Sequence, residues 1–253
     1  MQIIISEHWD TKYFNSAIVP KGKCGHEPKH PGRIVGGHDV SPHKHPWMAR
    51  LSWEQSSTNF CGGTLISRRH ILTATHCMIK CKKNCQNTNG TQTCTAHHKC
   101  KSRGLEWATL GDHSRAQLDG EIYLKIQRYV IHPKASQPKP PKGAFEYDFS
   151  IAVLDECVEL NKNIQPACLP TDSMNNYEGQ NVTVLGWGHL RYKKDKHVDA
   201  GKHSIVLQFI DIKVLSDAKC KSRSSIFNSS FLMCAGDPIT WSKDACQDDS
   251  GGK

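Results

Sequence analysis

Three side chains in this sequence have the types needed for nucleophilic acyl transfer: His76, Asp148 and Ser250. A serine hydroxyl is a poor nucleophile at neutral pH, so it needs a neighbouring base, usually a histidine that is itself oriented by a buried carboxylate. Ser250 lies in K-D-A-C-Q-D-D-S-G-G-K, residues 243–253, where glycine and acidic residues surround the hydroxyl. His76 sits in L-T-A-T-H-C, a β-type run ending in Cys77, and Asp148 opens the apolar run D-F-S-I-A-V-L. Taken alone, each is as readily a structural histidine, a surface carboxylate or a chance triplet. Their joint occurrence in the order His, Asp, Ser is what gives the set meaning.

The elements that must position them read as short strands. Apolar and β-branched segments recur between turn signals at 48–53, 63–67, 71–74, 107–110, 122–131, 149–154, 182–187 and 205–214. Many short strands with no long helical period predict an all-β, antiparallel architecture. The first 33 residues are polar and rich in Lys, Gly and Pro, which predicts an irregular leader. Residues 78–103 hold Cys81, Cys85, Cys94 and Cys100 with little apolar content from which to build strands, and read as a stapled surface insertion. The P-K-P-P-K-G run at 138–143 reads as a loop, since proline removes ladder donors.

Composition narrows the setting. The chain has 253 residues, enough for one large or two small β domains. Twelve cysteines without a C-x-x-C redox motif predict disulfides and an oxidising, extracellular compartment. The N-terminus offers only Ile3, Ile4 and Ile5 before Glu7 and His8, too short for a signal-peptide apolar core. No apolar run approaches the roughly 20 residues of a spanning helix, so membrane insertion is not expected. The formal charge of +9 permits attraction to acidic glycans, nucleic acid or membranes. The basic residues fall in short polar runs such as 191–196, however, which read as solvated loops with no nucleic-acid role.

Several motifs in register resemble the trypsin and chymotrypsin family of serine proteases. They are R-I-V-G-G at 33–37, the segment from Cys61 to Cys77 ending in T-A-T-H-C, Q-P-A-C-L-P at 165–170, V-L-G-W-G at 184–188 and the Ser250 loop. Together they cover nearly everything from Arg33 onward. The resemblance implies two six-stranded antiparallel β-barrels, a leader at 1–33 and a peptidase domain at 34–253. It implies an endopeptidase without cofactor or metal, whose partners are protein substrates, an activating protease and protease inhibitors. His76 would be general base and then acid, Asp148 would fix its tautomer, and Ser250 would form the acyl-enzyme. Asp244, six residues before Ser250, would floor the specificity pocket and favour Arg or Lys, since an unpaired buried carboxylate is costly. Cleavage after Arg33 would free the Ile34 ammonium to pair with Asp249, making the uncleaved protein a zymogen.

The same resemblance implies disulfides Cys24–Cys168, Cys61–Cys77 and Cys220–Cys234. Cys81, Cys85, Cys94 and Cys100 would close on each other or, with His97 and His98, bind zinc; the extracellular setting favours disulfides. Cys157 and Cys246 remain over. Sequons at Asn89, Asn181 and Asn228 are candidate glycan acceptors. The sequence also departs from the family pattern. Thr75 stands where alanine is commoner, Asp248 replaces a glycine and Lys253 a proline. The resemblance assigns the oxyanion-hole N–H groups to Asp248 and Ser250, and loss of one such donor costs on the order of 100-fold to 1000-fold in rate. Family members continue beyond this motif, so the second barrel is expected to be incomplete in this chain. Three readings follow: a trypsin-like protease precursor, a catalytically inactive homologue that binds partners, and a non-functional fragment.

Overall fold

A computed structural model describes residues 24–26, 38–39, 41–55, 60–88, 91–133, 135, 147–170, 176–188, 203–224, 227–230 and 232–236, with residues 38–39, 60 and 80–100 described by backbone alone. The described elements are β1 (His38–Asp39), β2 (Met48–Ser52), β3 (Phe60–Ser67), β4 (His70–Thr73), α1 (Thr75–Met78), β5 (Ile79–Thr88), β6 (Thr91–Ser102), β7 (Trp107–Leu110), β8 (Ile122–Ile131), β9 (Ser150–Leu154), β10 (Asn181–Gly186), β11 (Gln208–Val214), α2 (Asp217–Arg223) and β12 (Ala235–Gly236). The fold is all-β, with two short helices among the described residues.

Six strands close a barrel in the order β2-β3-β4-β9-β8-β7, every neighbour antiparallel. Closure leaves no edge strand to attract other chains. The sequence S-I-A-V-L of β9 explains how the barrel is held on both sides. Ala152 and Leu154 join the main core with Ala49, Leu51, Leu65, Ile71, Leu110 and Met78. Ile151 and Val153, of opposite parity, pack with Ile66 in a second cluster bordered by Leu72 and Val130. All five residues of β9 are therefore buried, and the strand reads as a continuous apolar run instead of an alternating one. At Gly63 on β3 a Cβ would stand 2.6 Å from Ile71 Cγ2, so only glycine permits this spacing between β3 and β4.

Arg50 is a charged residue on the wholly buried strand β2. Its Nε and Nη2 both donate to Asp112 Oδ2, at 2.9 and 2.7 Å. Burial raises the Asp112 carboxyl above its ordinary range even though Arg50 pulls the other way.

The second half forms a sheet ordered β1-β11-β10, with β12 also pairing β11. Leu185, Trp187 and Leu207 pack against Met48, joining this sheet to the barrel. The Trp187 indole donates to the His113 carbonyl at 3.1 Å, which fixes the same junction through a polar contact.

One expectation needs correction. Residues 78–103 are not strand-poor: β5 and β6 form an antiparallel two-stranded ribbon from Ile79↔Ser102 to Thr88↔Thr91, with a register shift between Lys83 and Cys85. In a two-stranded ribbon the inward-facing backbone groups pair across the ladder and both faces can stay polar, so apolar content was the wrong signal. The informative one was the Asn89-Gly90 dipeptide, a strong hairpin signal, between Thr88 and Thr91.

Candidate active site

His76 lies in α1, a single helical turn that follows β4 after Ala74. Three features hold that turn in place. Met78 and Cys77 are buried in the barrel core. Cys77 is bonded to Cys61 on β3, with a Cα–Cα distance of 6.1 Å. Thr75, fully buried, donates its hydroxyl to the Phe149 carbonyl at 2.9 Å and meets the Ser150 hydroxyl at 2.8 Å.

Asp148 stands just ahead of β9. The preceding Tyr147 has φ of 54°, a left-handed conformation uncommon outside glycine, and its ring stacks on the buried His132 at 4.8 Å. The His132 backbone N–H donates to the Phe149 carbonyl, the same oxygen that accepts from Thr75. Asp148 is thus fixed from both sides along the chain.

The structure brings His76 and Asp148 together twice. His76 Nδ1 and Asp148 Oδ2 are 2.6 Å apart, and the His76 backbone N–H donates to Asp148 Oδ1 at 2.9 Å. The carboxylate side chain is 14% exposed and the imidazole 34%. A shielded carboxylate holding an accessible imidazole by Nδ1 directs Nε2 outward as a proton acceptor. No group of metal-ligating side chains occurs among the described residues.

Two further disulfides are present: Cys24–Cys168 links residues 144 positions apart, and Cys220–Cys234 ties α2 to the segment entering β12. The Gly25 N–H also donates to the Pro166 carbonyl, reinforcing the first of these links. Cys157 is an exposed free thiol. Cys81 stands opposite Cys100, and Cys85 opposite Cys94, in the β5–β6 register. Arg33, Ile34, Asp244, Cys246, Asp248, Asp249 and Ser250 lie outside the described residues. Sequence reasoning noticed Thr75 only as a departure from a motif and missed its tie to Phe149 and Ser150.

The Trypsin family profile matches residues 34–252. A venom serine protease of Polistes dominula is 33% identical over 233 residues, covering 91% of this chain and 72% of that protein. Granzyme B of Homo sapiens is 31% identical over 224 residues, covering 87% and 76%. The chain spans only 32% of ovochymase-2 of Mus musculus, to which it is 31% identical. Among solved structures, neuropsin, a serine protease of mouse brain, superposes with a TM-score of 0.63 at 24% identity, covering 86% of this chain and 80% of the other. The chain belongs to the trypsin family of serine endopeptidases.

Proposed function

We propose that the chain is an endopeptidase zymogen which, once cleaved after Arg33, hydrolyses peptide bonds following Arg or Lys. The observation that carries this reading is the His76–Asp148 pair, with its 2.6 Å contact and its accessible imidazole. Asp148 holds the Nδ1–H tautomer, so Nε2 takes the proton from Ser250 as its hydroxyl attacks the scissile carbonyl. The imidazolium then protonates the leaving amine, and water resolves the acyl-enzyme by the reverse proton path. Backbone N–H groups at positions 248 and 250 receive the oxyanion.

Asp244 selects the residue before the scissile bond. A carboxylate at the floor of a closed pocket gains a charge-assisted hydrogen bond from Arg or Lys and is left unpaired by an apolar side chain. Activation uses the new Ile34 ammonium, which pairs with Asp249 and orders the nucleophile loop. The family match beginning at Ile34 supports that boundary. The Cys24–Cys168 link would keep the leader attached after cleavage. Three disulfides and the likeness to a venom serine protease support a secreted protein whose partners are an activating protease, protein substrates and protease inhibitors.

A second reading is carried by Asp248 alone. A side chain and negative charge beside the oxyanion donor oppose the charge that must develop there, which favours an inactive homologue acting by binding. Fluorophosphonate labelling of Arg33-cleaved protein separates the two. Labelling that disappears in Ser250→Ala supports the peptidase. Folded, cleaved protein that takes up no label overturns it in favour of the binding reading.

A further inference from the structure

The β5–β6 ribbon carries a charge arrangement that the peptidase chemistry does not use. Between Met78 and Leu105 the sequence holds Lys80, Lys82, Lys83, Lys99, Lys101 and Arg103 and no acidic residue. The register sets Lys80 opposite Lys101 and Lys82 opposite Lys99. Residues two apart on a strand share a face, so these four lysines occupy one face of the ribbon. Lys83, opposite His98, belongs to the other face with Cys81 and Cys100.

Like charges directly opposite across a ladder destabilise it, and here two such pairs are adjacent. The four positions form a grid of about 5 Å across the ribbon and about 7 Å along it. A partner with negative charges at that spacing converts the repulsion into attraction. An extended polypeptide with an acidic residue at every second position presents carboxylates about 7 Å apart on one side, which matches the spacing along each strand.

The ribbon's position fits the same partner. β5 continues directly from the turn that carries His76, since Ile79 caps α1 with its N–H donating to the Thr75 carbonyl. The base is fixed to the barrel side: the Arg103 N–H donates to the Met78 carbonyl at 2.8 Å, and the Trp53 indole donates to the Arg103 carbonyl at 2.6 Å. Lys101 and Arg103 are exposed. A segment docked on the lysine face is therefore held close to the chain's own catalytic histidine.

We propose that the face formed by Lys80, Lys82, Lys99 and Lys101 docks an acidic, extended segment of the polypeptide substrate, away from the bond that is cut. The choice of a polypeptide as occupant rests on the peptidase reading; the anionic character of the occupant rests on the lysine register alone. The surface adds affinity and association rate through charge complementarity, and salt weakens both.

The test is fluorescence anisotropy with the Ser250→Ala chain and a fluorescein-labelled (Glu-Ser)4 peptide. The expected result is binding that weakens at least tenfold in Lys82→Thr/Lys99→Thr and in Lys80→Thr/Lys101→Thr, and is unchanged in Lys83→Thr on the opposite face. A (Gln-Ser)4 peptide that binds equally well, or a glutamate peptide that binds both double variants as tightly as the parent, overturns the proposal. So does a sulfated oligosaccharide that binds through these lysines while the acidic peptide does not. The readout is independent of catalysis. Lysine-dependent peptide binding, together with an Arg33-cleaved parent chain that keeps Ser250 yet takes up no fluorophosphonate, supports the surface and counts against the peptidase alone. Labelling without lysine-dependent binding overturns the surface alone.

Discussion

The hydroxyls of Thr75 and Ser150 meet at 2.8 Å, one residue before His76 and two after Asp148. Thr75 spends its only proton on the Phe149 carbonyl, so Ser150 must be the donor of the second bond. The two segments that carry His76 and Asp148 are thereby joined by a short chain of buried hydrogen bonds as well as by the His76–Asp148 contact.

Thr75→Val keeps the shape and removes the hydroxyl, stranding a buried Ser150 donor. The expected loss is about 1–3 kcal/mol of unfolding free energy, read from urea melts. Thr75→Val/Ser150→Ala removes that orphan as well, so the double variant should lose clearly less than the sum of Thr75→Val and Ser150→Ala measured singly. Additive losses would show that the two hydroxyls do not interact.

Asp148→Asn retains the volume but reverses the tautomer preference of His76. In Arg33-cleaved protein kcat on an Arg-containing peptide should fall about 10,000-fold with KM little changed. A fall of less than tenfold would remove Asp148 from the orienting role.

On the proposed placement of Asp248 beside the oxyanion, Asp248→Gly removes a charge and a side chain there. Turnover of cleaved protein should rise at least tenfold, a part of the roughly 100-fold to 1000-fold that one oxyanion donor contributes. An unchanged rate would place Asp248 elsewhere in the loop.

Arg50→Met leaves Asp112 buried without its cation. The expected cost at neutral pH is about 3–5 kcal/mol. Burial already raises the Asp112 pKa above its ordinary 3.8, and Arg50 is the main influence holding it down, so the variant raises it further. A carboxyl with a raised folded pKa destabilises the fold when ionised, and that cost disappears as pH falls through the raised value. The penalty should therefore be smaller at pH 5 than at pH 7 in chemical melts. A penalty independent of pH would mean that Asp112 does not titrate in this range.

Much of the barrel was legible because its strands carry their own apolar signal. Trp107–Leu110 and Ile122–Ile131 begin and end in the structure where the sequence pattern puts them. The β5–β6 ribbon was not, because a polar hairpin is held by backbone pairing and leaves no apolar trace. The short helix α2 also escaped notice, although Ser216 accepts a hydrogen bond from the Lys219 N–H as its N-cap. At the site, His76 and Asp148 could be proposed from their motifs. The positive φ of Tyr147, its stacking on His132 and the Thr75–Ser150 contact depend on residues far apart in sequence, and no local spacing encodes them.

The last register pair of the β4–β9 ladder is Thr73↔Ser150. His76 follows the first of these by three residues, and Asp148 precedes the second by two. The separation of His76 and Asp148 thus follows from one strand pairing inside the first barrel. The ladder that closes this side of the barrel also sets how near His76 and Asp148 lie, and a slip of one residue in that pairing would part them.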